Sequence, residues 1–214
     1  MALFSSTTRI ALCAAIVVAV NGCTVLSSEE DKAMREARSR DVDAGRYVEA
    51  RWVSTVLPAL DKRATNPADL ATALSEGMDK AGDRFGRSAG EGSSWTFVVR
   101  GQVKVESVDR SSQRGTVTVS FDTPKGLRQA ILQSGPYVSG TAIRDALDFI
   151  RFNDFKDQIV FAEVGNALTA RALKESAALD SVQAGSRIEL LGVVALREAG
   201  DAWVVTPVAV KPVP

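Results

Sequence analysis

The chain has 214 residues, 45% hydrophobic and 24% charged, with 26 basic side chains balanced by 26 acidic ones. That balance carries no electrostatic footprint for nucleic acid, and a chain of this size and apolar content can bury one sizeable core with a smaller satellite. It contains no histidine, which removes the base of serine-histidine-acid and cysteine-histidine nucleophile systems and the usual nitrogen ligand of zinc and copper sites.

At the N-terminus, Arg9 precedes an apolar run from Ile10 to Val20, followed by Val20-Asn21-Gly22-Cys23. As a helix this run rises only about 16 Å, roughly half a bilayer core, so residues 1–22 are expected to be a signal peptide and not a membrane span. A branched apolar residue three positions before a Gly-Cys pair resembles the lipobox of bacterial lipoproteins, although Asn21 stands where that pattern takes a small or hydroxyl residue. Cys23 is then the acylated first residue of the mature protein. Each buried methylene of its acyl chains contributes about 0.8 kcal/mol, enough in sum for stable attachment to a membrane. The alternative is a secreted protein with one unpaired thiol in an oxidising compartment. Cys13 leaves with the signal, so no intramolecular disulfide is expected. Thr24 is not the aspartate associated with inner-membrane retention, which makes the outer membrane the expected destination if Gram-negative sorting applies.

Residues 23–42 are polar and charge-rich around Ser27-Ser28-Glu29-Glu30-Asp31 and read as a tether. After Asp43, a fitting N-cap, Val48, Trp52, Val53, Val56, Leu57 and Leu60 recur at gaps of one, three and four, predicting one helix that Pro58 kinks or ends early. Asn66-Pro67-Ala68-Asp69 is a second helix start, and Leu70, Leu74, Met78, Ala81 and Phe85 continue it on one face. Residues 43–86 are therefore expected to form a small helical subdomain, its two helices packed as a hairpin.

Gly86 to Ser94 is a glycine- and serine-rich break, after which the hydrophobic period falls to two. Trp95, Phe97, Val99, Val103 and Val105 predict a strand in which Gly101 marks a possible bend. Val117, Val119 and Phe121 predict a second strand, and Leu127 to Gln133 a third beyond the Thr123-Pro124-Lys125-Gly126 turn. Helical spacing returns at Ile143, Ala146, Leu147 and Ile150 behind Thr141, and at Val164, Ala167, Leu168 and Ala172. Strands resume with Ile188, Leu190, Val194 and Leu196, then Val204, Val208 and Val210 beyond a turn at Glu198 to Asp201. Three strands, a helical insertion and two strands is the order of an OB-type barrel. The expected fold is α+β: a five-stranded OB-like β-barrel over residues 95–214, with helices within 141–176 between strands 3 and 4.

Chemistry is sparse. No glycine-rich phosphate loop occurs, since Gly86, Gly90 and Gly92 lack the following lysine and the strand-to-helix setting. Asp145 with Asp148, and Asp154 with Asp157, are spaced by three and would share a helix face, as a glycosidase dyad or calcium site requires; Arg144 and Arg151 are close enough in sequence to neutralise them. The run Phe149 to Phe155 fits neither period. Either Phe149, Phe152 and Phe155 plug one end of the barrel while Asn153 and Asp154 cap the next element, or Asn153, Asp154 and Gln158 line a ligand or partner surface. No catalytic residue, metal site or cofactor is expected.

The run GPYVSGTAIRDALDFIRFNDFKDQIVFAEVGNAL, Gly135 to Leu168, resembles the signature of the predicted periplasmic lipoproteins assigned to domain of unknown function 2291, and a weaker likeness extends from Tyr47 through the closing strands. The resemblance implies an OB-like barrel joined to a small helical domain, and an association with ribose-type sugar ABC importers. The functional expectation is a non-enzymatic lipoprotein on the periplasmic side of the envelope. It would bind the importer or its solute-binding protein through a surface in the Gly140 to Asn166 region that includes Arg144, Asp145, Asn153, Asp154, Gln158 and Asn166. The alternative is a small-ligand or oligosaccharide-binding OB module in which Trp95, Phe97 or Trp203 stacks on a sugar, against the plainer expectation that these three lie in the core.

Overall fold

The computed structural model describes residues 42–213 apart from Ala89, Glu91 and Ser139. The signal peptide, Cys23 and all of the tether except Val42 lie outside the described residues.

Asp43 caps α1 (Ala44–Glu49) by accepting a hydrogen bond from the Arg46 amide at 2.9 Å. The predicted single helix does not continue from there. A π-helical turn (Trp52–Val56) intervenes, with the Val56 amide bonded to the Arg51 carbonyl, before α2 (Leu57–Arg63). Pro58 accounts for the break, because it lacks an N–H and in an unbroken helix its ring would press on the Ser54 carbonyl. Widening the preceding turn leaves Pro58 in the first turn of a new segment, where neither defect costs anything. The second predicted helix is likewise two, α3 (Pro67–Glu76), capped by Asn66, and α4 (Met78–Phe85), divided at Gly77 with φ 134°.

The strands are β1 (Gly86–Ser88), β2 (Trp95–Asp109), β3 (Thr116–Thr123), β4 (Gly126–Gln133), β5 (Arg187–Leu196) and β6 (Val204–Val213). They form a six-stranded sheet of order β1-β2-β3-β4-β6-β5, in which β5 also pairs with β2 from Trp95↔Leu196 to Lys104↔Arg187. Each of the five long strands thus has a strand on both sides. The additional β1 lies in the segment expected to be a break, where Gly86 and Gly82 let α4 and β1 close on the Trp95 ring; a Cβ on Gly82 would lie 2.6 Å from Trp95 Cε2. Between β4 and β5 come α5 (Ala142–Asp145), a 3₁₀ turn (Phe152–Asp154), α6 (Gln158–Glu175) and a second 3₁₀ turn (Ala177–Asp180).

Alternation along the strands sends side chains into two apolar clusters. The first gathers Phe97, Val103, Val105, Val117, Val119, Leu132, Ile188, Leu190, Val194 and Val205 together with Leu70 and Leu74 of α3. The second lies on the opposite face, where Val98, Leu191, Val193 and Val208 meet Val48, Trp52, Val56 and Leu60 and the Val160, Val164 and Leu168 stripe of α6. The two predicted N-terminal helices therefore bury into different clusters instead of pairing as a hairpin. Val208 departs from the expected inward set because a bulge opposite Leu191/Gly192 reverses the phase of β6, so that Val205 and Val210 face inward and Val204 faces out. Gly101 marks a close approach more than a bend: a Cβ there would lie 2.9 Å from Pro67 Cδ, where α3 starts against β2.

Candidate functional site

The outward-facing positions of the strands converge on one region. Register places Arg87 opposite Thr96 and Thr96 opposite Ala195; farther along, Val204 pairs with Ile131 and Gln133 with Thr116. Each of these residues alternates with an inward one, so the row forms a floor across β1, β2, β5, β6, β4 and β3. Thr96 and Thr206 are buried polar residues on it: the Thr96 hydroxyl donates to the Arg87 carbonyl at 2.9 Å, and the Thr206 hydroxyl accepts from Gln133 Nε2 at 3.1 Å. Opposite stands a wall built from Tyr137, Gly140, Thr141 and α5, then Ile150, Arg151, Phe152 and, from α6, Phe161. Floor and wall enclose a cleft of about 1370 Å³.

The charge in this cleft is one-sided. Among the described residues its lining holds five arginines, Arg87, Arg114, Arg144, Arg151 and Arg197, and one carboxylate, Asp145. Asp145 is the hub of the wall. Its Oδ1 accepts from Arg144 Nη2 at 2.8 Å and Nε at 2.9 Å, its Oδ2 accepts from the Thr141 hydroxyl, and its carbonyl accepts from Arg87. The Arg144 guanidinium also lies 3.9 Å from the centre of the Phe161 ring, which ties α5 to α6.

The candidate residues separate accordingly. Arg144 and Asp145 line the cleft, whereas Asn153, Asp154, Gln158 and Asn166 do not. Asn153, Gln158 and Asn166 are exposed, and Asp154 accepts from the Arg151 amide at 3.3 Å. The cap of the next helix is Asp157, which accepts from the Ile159 and Val160 amides at 2.9 Å each, not Asn153 or Asp154. Phe155 stacks with Tyr47 and Phe161 in the outer cluster, and Phe152 packs edge-on to Phe161. These aromatics therefore fasten α6 to α1 and do not plug the strand ring. Neither aspartate pair shares a helix face, since α5 ends at Asp145 and Asp157 is spent as a cap. Phe97 and Trp203 are fully buried, and Trp95 packs against the same inner cluster, so none offers a ring to a ligand. Among the described residues no group of His, Cys, Asp and Glu could hold a metal ion.

Sequence reasoning took Arg151 only as a charge neutralising nearby aspartates, and missed Arg87, Arg114 and Arg197. Their signal is positional: Arg114 precedes β3, Arg197 follows β5, and Arg87 sits in the short β1 whose pairing brings it to the start of β2.

The family described as predicted periplasmic lipoprotein (DUF2291) matches residues 13–211. The chain belongs to that family. The description gives DUF2291 proteins an envelope setting on the periplasmic side. No curated protein matches this one. Its fold is similar to that of an OB-fold protein from Thermotoga maritima, known from a crystal structure, with a TM-score of 0.69 at 15% identity, covering 81% of this chain and 100% of that one. The likeness shows an OB fold for this DUF2291 protein and nothing of its ligands.

Proposed function

We propose that this DUF2291 protein is a non-catalytic binding protein, tethered to the membrane through acylated Cys23, that holds a small ligand in the cleft between the outer face of the sheet and the α5–α6 wall. The ring of strand pairings reads as the closed OB barrel, and the cleft lies on its outside. The observation that carries this reading is convergence: side chains from six strands, α5 and α6 meet around one cavity of ligand size. Its lining offers hydrogen-bond donors and acceptors without an activated nucleophile. The described carboxylate there is engaged by Arg144 and Thr141, and the chain has no histidine to serve as a base.

The test is a binding screen of the full-length lipoprotein in mild detergent against neutral and charged sugars and other small metabolites, paired with Ala195→Trp, which fills the floor from an exposed position. Loss of a hit in Ala195→Trp with an unchanged melting temperature supports the reading. Ligand binding untouched by that substitution, or turnover of a substrate by the purified protein, sinks it.

A second reading has the segment from α5 to α6 docking on a sugar ABC importer or its solute-binding protein. It draws on Ile159, 69% exposed beside Gln158 and outside the cleft. Crosslinked pull-down with Ile159→Lys as control separates the two. Delivery to the outer membrane belongs to the proposal as well, and density-gradient fractionation of the envelope checks it.

A further inference from the structure

We infer that the ligand of this cleft is a multiply charged organic oxyanion, such as a phosphorylated or carboxylated sugar, a conclusion that rests on the cleft being a binding site. The whole chain is neutral, yet the described lining of this one cavity has four more positive than negative side chains. Local concentration of one sign in a neutral protein is what focuses a field on an anion. Two of the five arginines are committed to structure: Arg144 to Asp145 and Phe161, and Arg87 through its bond to the Asp145 carbonyl. Arg114, Arg151 and Arg197 enter no salt bridge among the described residues, and all three are exposed at the cleft; Arg151 spends its Nε on the Asp148 carbonyl at 3.1 Å, and Arg197 interacts electrostatically with Asp201 outside the lining. Three planar guanidinium forks around a common space match the paired oxygens of phosphate or carboxylate better than any neutral group.

The cavity is far larger than a lone phosphate needs, and it is not polar throughout. Ile131 and Val204 lie side by side on the floor and Phe152, 50% exposed, stands on the wall. That strip suits the body of a sugar or similar ring while the arginines take its charged ends.

The experiment titrates the full-length lipoprotein in detergent with glucose, glucuronate, glucose 6-phosphate and fructose 1,6-bisphosphate by calorimetry at low and high salt. Affinity should rise along that series and fall with added salt, and each of Arg114→Gln, Arg151→Gln and Arg197→Gln should weaken binding of the bisphosphate about tenfold, the worth of a charge-assisted hydrogen bond at an exposed site. Arg100→Gln, whose side chain pairs with Asp61 and Glu189 away from the cleft, should leave binding unchanged. The glucuronate and phosphate arms distinguish the two oxyanion sources. Equal affinity for glucose and the bisphosphate, arginine variants that bind as wild type, or no saturable binding of any anion up to millimolar concentration overturns the inference. A neutral ligand lost in Ala195→Trp would leave the cleft standing and remove only the charge assignment. An anion bound equally well by Ala195→Trp would remove the cleft itself.

Discussion

Removing the carboxylate of Asp145 is the most direct probe of the cleft wall. The Arg144 side chain is only 14% exposed and Asp145 30%, and two guanidinium nitrogens converge on one carboxylate oxygen. An exposed ion pair contributes about 0–1 kcal/mol, whereas deleting one partner of a fully buried pair costs about 3–5 kcal/mol. Arg144 lies between these limits, and it keeps the Phe161 ring as an alternative partner. Asp145→Ala should therefore cost about 1–2 kcal/mol, which for a domain of this size lowers the melting temperature by roughly 2–8 °C. Arg144→Met keeps the stem over Phe161 and removes the charge, so Asp145→Ala added to it should cost less than in the wild type. A double-mutant cycle from urea denaturation, followed by circular dichroism, should give a coupling of about 1 kcal/mol. A melting temperature for Asp145→Ala within a degree of wild type, or a coupling indistinguishable from zero, would show that the pair does not organise the wall.

Two glycines should respond oppositely to alanine. In Gly82→Ala the new methyl would meet Trp95 ring atoms at 2.6–2.7 Å, so the ring must move, at about 1–3 kcal/mol; in Gly165→Ala the nearest atom is Arg144 Cδ at 3.5 Å, and the variant should be neutral or more stable by up to about 1 kcal/mol from helix propensity, both read from thermal melts. Asp157→Ala removes both hydrogen bonds at the start of α6 and should cost about 1–2 kcal/mol, while Asp157→Asn, which can still accept, should cost only a few tenths; comparable losses in the two denaturation curves would count against the cap. Glu106 accepts a hydrogen bond from the Ser120 hydroxyl and lies near Lys104, which hold its carboxyl below the ordinary 4.5. Its contribution is then complete above pH 4.5 and is lost as the pH falls through the lower folded value, and Ser120→Ala should move its titration, followed by carboxyl NMR, back up towards 4.5.

The strands were legible because half-buried strands announce themselves through alternation: Phe97, Val103, Val105, Val117 and Val119 were all assignable inward from period alone. The phase of β6 was not, since a bulge inserts one residue without leaving a sequence mark and exchanges Val204 for Val205 on the inner face. Helical stripes were equally visible, but a stripe reports that a face is buried and not what buries it. Val48 to Leu60 and Leu70 to Phe85 look alike in sequence, yet the first packs on α6 and the second on the inner cluster. Pro58 was rightly expected to interrupt its helix, and the wider turn keeps Val48, Trp52, Val56 and Leu60 on the buried side, whereas Val53, placed on the same stripe from sequence, turns outward and is 72% exposed.

The cleft was legible only in part, and the reason is physical. Arg144 and Asp145 are neighbours in a helical turn and could be singled out from the sequence. Arg87, Arg114 and Arg197 are scattered over 111 positions, and each reads alone as a solvated charge at a strand end or turn, while Arg151 reads as a neutralising partner of nearby aspartates. Net charge hides them too, because a neutral total is compatible with any partition of sign over the surface. What brings them together is strand pairing: the β1–β2 and β2–β5 ladders carry Arg87 towards Arg197, and the β3–β4 and β4–β6 ladders carry Arg114 towards the same opening. Because each ladder fixes which residues face outward, a one-residue slip in β5 would turn Ala195 inward and replace part of the floor with Val194. The positive cleft is therefore a property of register, and the same apolar alternation that builds the core sets where its outward arginines meet.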